Sequence, residues 1–428
     1  MEFGTYVRVL RRQKNISLEK LCRGICSVAQ MKRIESRERR AGKLLQDRLL
    51  QRLDVHENVF GNILEPDEYE LWKHRQGIRS AIAHGEWEKA ECRLENYECA
   101  GSEKSSLERQ FCMAMRGLLL RHEGSEERAA RVFGEALALT VPDVGVRPLE
   151  ELCLAPQEIS LYLESIPGMD MRESAGGGQA ACPGLSWERM AERYKELVIY
   201  LERNQKDPLI MAEIYPKAVI CLCRHCRRPG EKDMVREGQS PQPRNRDGEN
   251  GGKALPEKPE LLAMCQRAIG LLQDTGRTCY LRELLEEALP LLQGELQEAE
   301  RLGRVQEAGG LKEFREQAET LRGIPEGFSG RNGIPGEAGD ICYLYAESEA
   351  RCIGDVVRAR RRLLGMTQKQ LCDKICSIRT LSRMEQGQSV TQSGISRKLL
   401  DRLGLAEESG CAEPCEAELE KGRKSGRM

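Results

Sequence analysis

One block of this chain occurs twice. Shifted by 350 positions, Phe3 to Val55 falls on Ile353 to Leu405 without a gap. Identities run through the whole block: Gly4/Gly354, Val7/Val357, Arg11/Arg361, Arg12/Arg362, Leu21/Leu371, Cys22/Cys372, Ile25/Ile375, Cys26/Cys376, Ser27/Ser377, Arg33/Arg383, Glu35/Glu385, Leu49/Leu399 and Arg52/Arg402 among them. A gapless match of this length is an internal duplication, so the two ends must fold alike. The expectation is one small domain of the same kind at each end, with the intervening chain holding the two apart.

The stretch from Thr367 to Gly387 says what kind of domain this is. Leu371, Cys372 and Ile375 give the apolar side of a short helix, and Cys376-Ser377 breaks it. A second helix then carries Leu381 and Met384 inward and leaves Arg379, Thr380, Ser382, Arg383 and Gln386 outward. In the N-terminal copy the same order is read as a helix from Gly4 to Gln13, a Ser17-capped helix from Leu18, a turn at Cys26-Ser27 and a helix from Val28 to Arg37. Leu44, Leu45, Leu49, Leu50 and Leu53 add an amphipathic helix behind them. Two short helices joined by a tight turn, the second polar and basic outside, suit a duplex major groove.

At these residues the block resembles the Cro/repressor (Xre-type) helix-turn-helix family, through its Thr367-Gln368 opening and its Ser382-Arg383-x-Glu385-x-Gly387 close. The resemblance implies two five-helix repressor-like domains, at 1–60 and 343–405, that bind double-stranded DNA. It implies an ion pair between the first helix and the end of the recognition helix, Arg11 with Glu35 and Arg361 with Glu385. It also brings Gln368 toward the phosphate backbone. The candidate DNA-binding residues are Ser27, Gln30, Lys32, Arg33, Arg39 and Arg40 in the first copy. In the second they are Thr367, Gln368, Ser377, Arg379, Thr380, Arg383 and Gln386. The N-terminal copy has Leu18 and Arg37 where the other has Gln368 and Gly387, and Lys32 where the other has Ser382. It gains charge and loses the motif, so the expected division gives base reading to Ser377, Arg379, Thr380 and Arg383 and phosphate grip to the first copy.

Charge supports contact with phosphates at the ends. The whole chain carries −1, yet residues 1–53 hold 14 Lys/Arg against 5 Asp/Glu and residues 353–405 hold 11 against 4. Two basic ends on an acidic body make the electrostatic footprint of a protein that touches nucleic acid through its ends.

The body is expected to be helical as well, because aromatic residues are only 4% of the chain and strands have little to be built from. The fold class is therefore all-α. Gly117, Ala129, Phe133 and Ala136 have the spacing of the small and aromatic positions of a tetratricopeptide repeat, and Ala218, Cys265 and Ala268 fit a later repeat. A tetratricopeptide-like helical solenoid over 65–322 follows. It is interrupted by an insertion at about 229–258 that lacks apolar content and is expected to be disordered. A Gly/Pro-dense linker at 323–340, a further helix from Tyr343 to Ala350 and a disordered tail at 406–428 complete the plan. A repressor-type head followed by such repeats resembles the peptide-responsive, quorum-sensing regulators of the Rgg/PlcR kind. That resemblance implies a short signalling peptide or a partner protein in the repeats, and it admits a homodimer.

Other function classes have less to stand on. The His residues (His56, His74, His84, His122, His225) do not group with carboxylates or Ser in a catalytic pattern, and no phosphate loop or HExxH is present, so an enzyme is not expected. Cys221, Cys223, His225 and Cys226 on one helix spread around its axis, so core packing is preferred to a metal, and no cofactor is expected. No apolar run is long enough for a membrane helix and no signal-peptide core opens the chain, so a cytoplasmic protein with no membrane partner is expected. The alternative function is a helical-repeat scaffold whose heads do not read DNA.

Overall fold

The computed structural model describes residues 2–55, 60, 62–99, 104–168, 187–226, 255–323, 341–388 and 393–405. The chain is mostly helical, and the only named strands among the described residues are two of two residues each. It divides into two compact units: Met1–Ile78, Glu95–Leu107 and Ala346–Met428 form the first, and Arg79–Leu94 with Glu108–Tyr345 the second.

The first unit holds both copies of the repeat. Helices α1 (Phe3–Gln13), α2 (Leu18–Cys22), α3 (Val28–Glu35) and α4 (Lys43–Arg52) form the first, followed by strand β1 (Ile63–Leu64). Strand β2 (Arg351–Cys352) leads into α15 (Ile353–Leu363), α16 (Gln368–Cys372), α17 (Ile378–Glu385) and α18 (Ser393–Arg402) of the second. Each copy thus has four helices among the described residues and not the expected five. In the first copy the backbone passes Asp54 at φ +59° just after α4, and the next named element among the described residues is β1.

Each copy is held by the residues that the duplication keeps. Gly4 and Gly354 let the first helix touch the backbone of the third: an added Cβ would stand 1.9 Å from the carbonyl oxygen of Ile34 or Met384. Arg52 donates from Nη1 to the carbonyls of Leu21 and Arg23, both at 2.8 Å, and so satisfies the open end of α2. Arg402 does the same for Leu371 and Asp373 at the end of α16. Val357, Leu371, Leu381, Met384, Leu399 and Leu403 make the core of the second copy.

The segment from Tyr343 to Ala350 is not the expected helix. Helical structure stops at Leu344, and the chain then runs extended into β2, where Arg351 N donates to Asn62 O at 2.7 Å. The extended run carries Glu347 to a buried two-point ion pair with Arg75 (2.7 and 2.8 Å) and Ser348 to Lys43 Nζ (2.6 Å). Burial works against the Arg75 charge, yet the Glu347 carboxylate outweighs it and pushes the guanidinium pKa up. Nor are the two copies held apart, since both lie in this one unit.

The second unit is a run of helices in which sequence neighbours pack on one another. It contains the end of α5 (Pro66–Ala83), the start of α6 (Trp87–Cys99), most of α7 (Ser106–His122), α8 (Glu126–Thr140), α9 (Pro156–Ser165), α10 (Trp187–Asn204), α11 (Pro208–Cys226), α12 (Lys258–Asp274), α13 (Leu281–Arg301) and α14 (Val305–Arg322). Phe133 is buried against Gly117, where an added Cβ would meet its ring at 2.4 to 2.8 Å, so the small and aromatic positions named above do interlock. Every residue of α9 is buried, including Glu158, which accepts from Thr140 Oγ1 (2.7 Å) and from Ala155 N (2.8 Å). Such a helix gives no amphipathic signature, which is why its sequence does not announce it. Residues 169–186, the insertion at 227–254, the linker at 324–340 and the tail from 406 lie outside the described residues. Pro256 is buried and Glu257 stands at the N-cap position of α12, so residues 255–258 at the end of the expected insertion belong to the folded body.

Candidate nucleic-acid interface

Ser377 opens α17 as its N-cap: its Oγ accepts from Thr380 N at 3.0 Å and lies 2.8 Å from Thr380 Oγ1. Ser27 opens α3 in the same way, accepting from Gln30 N at 3.0 Å. Thr367 caps α16 in a reciprocal box with Gln370. Three of the candidate site residues therefore have a backbone task at a helix start, independent of any ligand.

The outer face of α17 carries the rest. Arg379, Arg383 and Gln386 stand at i, i+4 and i+7, all exposed, and Thr380 is half-buried beside them. Arg383 Nε donates to Gln388 Oε1 at 3.0 Å, which holds the guanidinium along the helix end. One further residue shares this surface: Ile378, the first residue of the helix, is 48% exposed. Its apolar character in the sequence does not set it apart from the buried Leu381 and Met384 of the same helix.

Gln368 is half-buried and donates from Nε2 to Glu385 Oε2 at 2.9 Å. Glu385 also receives Arg361 Nε (2.6 Å) and Nη2 (2.9 Å), while Arg361 Nη1 donates to Met366 O. This is the ion pair that the resemblance implies, with Gln368 as its third member. Burial pushes the Glu385 carboxyl up, but the hydrogen bonds from Arg361 and Gln368 together hold it below its ordinary range. In the first copy Arg11 Nε and Nη2 meet Glu35 at 2.9 and 3.2 Å, and Leu18 leaves that pair without the third partner.

On α3 Gln30 is half-buried and Lys32 and Arg33 are exposed. Arg39 and Arg40 are exposed beyond its end, and Arg40 Nη2 donates to Ile63 O at 3.2 Å, so that side chain also ties its head to β1. The outward stripe that reads Arg379, Arg383, Gln386 on α17 reads Ala29, Arg33, Ser36 on α3.

The described residues contain no group of three or more His, Cys, Asp or Glu arranged to hold a metal. In the Cys-rich run, His225 donates from Nδ1 to Cys221 O (2.7 Å) and stacks on Trp187, while Cys223 packs 3.7 Å from Cys265, so its members serve different neighbours. Among the described residues no helix is long and apolar enough to cross a membrane.

Comparison with known proteins agrees on the second copy. Residues 357–408 match the family described as Helix-turn-helix. No curated protein matches the chain. Among solved structures, PlcR of Bacillus thuringiensis in complex with the peptide PapR7 and DNA is similar at a TM-score of 0.33 and 12% identity, over 75% of this chain and 99% of that one.

Proposed function

We propose that the protein is a sequence-specific DNA-binding transcription regulator, and that α17 is its base-reading element. The observation that carries this is the exposed stripe of Arg379, Arg383 and Gln386 on the second helix of a segment matching the helix-turn-helix family. Arginine is suited to bidentate recognition of guanine, and glutamine to adenine, in the major groove. Ile378 adds an exposed apolar side chain at the helix start, of the kind that meets a thymine methyl. Ser377 and Thr380 sit at the helix N-terminus, where a phosphate or base edge would approach.

In this reading Gln30, Lys32, Arg33, Arg39 and Arg40 contribute mainly phosphate contacts, which raise affinity for any sequence. Thr367 and Gln368 act by shaping the head: Thr367 caps α16 and Gln368 braces Glu385. A short peptide, or a partner protein, occupies the helical body and biases the heads. The body's interlocking Gly117 and Phe133 support a tetratricopeptide-like array, a form suited to extended peptides. Selection of bound DNA from a random pool by the full chain tests the central claim. A single enriched motif is expected, and recovery of unrelated sequences would sink it in favour of a scaffold. Changing both Arg379 and Arg383 to Ala should blur the motif, at about 1 to 3 kcal/mol for each lost bidentate contact.

A further inference from the structure

The two heads are built into one another. β1, which leaves the first head, pairs in parallel with β2, which enters the second: Ile63 lies against Arg351 and Leu64 against Cys352. Ile63 also packs on the hydrophobic core of the second head. Glu2, at the start of α1, lies between two cations, Arg37 just past α3 (3.1 Å) and Arg397 on α18 (3.4 Å). The duplication even continues in sequence beyond the heads, since Glu65-Pro66-x-Glu68-x-Glu70-Leu71 recurs as Glu413-Pro414-x-Glu416-x-Glu418-Leu419. What most helix-turn-helix proteins obtain by pairing two identical subunits, two heads in a fixed relation, is present here within a single compact unit of one chain.

Identical subunits impose matching half-sites, whereas these two recognition helices differ in chemistry. Where α17 has Arg379 and Ser382, α3 has Ala29 and Lys32. We infer that one chain, with no second copy, occupies a bipartite DNA site of fixed spacing, in which α17 reads the sequence of one half and the α3 head grips the phosphates of the other. The inference rests on the DNA-binding reading above and specifies the form of its site.

Linkage makes the weaker head effective. Once α17 is engaged, the α3 head meets the same duplex at an effective concentration on the order of millimolar. Against a non-specific Kd of about 10⁻⁴ to 10⁻⁶ M, its contribution is roughly 10- to 1,000-fold in affinity. No sequence information has to be read by that head to obtain it.

The test uses the full chain on DNA selected from a random pool, with the mass of the complex and a hydroxyl-radical footprint as readouts. The expected result is one chain per duplex and two protected blocks, of which only one contains the selected motif. The double variant Lys32→Glu, Arg33→Glu, both positions exposed, should erase the block without the motif. It should cost about 10- to 1,000-fold in affinity and leave the motif unchanged. Reciprocally, Arg379→Glu should erase the motif while the variant still binds DNA weakly. Two chains per duplex on a palindromic motif, or a single protected block, would overturn the inference while leaving DNA recognition standing. Failure to select any motif would overturn both.

Discussion

Among the described residues the backbone of each head enters the left-handed region four times, and the four places coincide under the shift of 350. Asn15 and Gly365 stand at φ +55° and +65°, Gly24 and Lys374 at +75° and +59°, Arg37 and Gly387 at +68° and +74°, Asp54 and Gly404 at +59° and +66°. The turns were preserved while the residues were exchanged, so each copy now holds side chains where the other shows that glycine suffices. Lys374 is exposed and gives the cleanest test. An L-residue in this region costs roughly 1 to 2 kcal/mol, and glycine's extra chain entropy returns about 0.5 to 1 of that. Lys374→Gly should therefore stabilise the second head by up to about 1 kcal/mol, measured as a higher denaturant midpoint at unchanged slope. Gly354→Ala should do the opposite, by about 3 kcal/mol or more, because its Cβ would meet a backbone carbonyl that cannot rotate away. Gly354 and Arg402 stood out in the sequence as identities between copies, but their tasks did not. Identity under a shift marks a constraint, and only the contact with Met384 O or the carbonyls ending α16 states its cause.

At the scale of an element, α17 is bounded by two polar devices, through which stability and the proposed binding can be tested separately. Ser377 caps its start, and Asp serves that purpose as well as Ser does. Ser377→Asp should hence leave thermal stability nearly unchanged while weakening DNA binding, since it sets a negative charge beside the phosphates. Ser377→Ala should cost about 1 kcal/mol of stability instead. A Ser377→Asp variant that binds as tightly as the parent would remove the start of α17 from the interface. The other end is held through Glu385, whose carboxyl is kept below its ordinary value of 4.5 by Arg361 and Gln368 against the effect of burial. A depressed carboxylate stabilises the fold fully above the unfolded-state value, and that contribution is lost as pH falls through the folded one. The second head should accordingly lose stability on acidification below about pH 4.5. A Glu385→Gln variant should differ most from the parent near neutrality and least at the acid end, as thermal unfolding at stepped pH would show. These helices were legible because Ser and Thr caps and the 3.6-residue apolar rhythm are local signals. The β1·β2 pair was not, because a pairing of two residues over so long a separation leaves no periodicity in either strand. The same holds for Tyr343 to Ala350, whose composition permits a helix while Glu347 and Ser348 are claimed by Arg75 and Lys43.

For the whole molecule the deciding quantity is how charge is distributed between heads and body. Residues 1–53 and 353–405 carry +9 and +7 on a chain whose total is −1, and the exposed Lys32, Arg33, Arg379 and Arg383 of α3 and α17 belong to that excess. Each phosphate neutralised releases condensed counterions, so the logarithm of affinity falls with the logarithm of salt at a slope of about −0.9 per contact. A steep slope is expected for the full chain, and the two heads can be counted separately through it. Lys32→Ala and Arg33→Ala should each lower the magnitude of the slope by about one and weaken selected and unrelated sequences alike. Arg379→Ala should instead narrow the gap between selected and unrelated DNA, because a base contact carries the discrimination. Titrations of both DNA types at several salt concentrations distinguish the two behaviours. If the α3 variants narrowed that gap and the α17 variant changed only the slope, the roles of the heads would be reversed, and sequence reading would belong to the N-terminal copy.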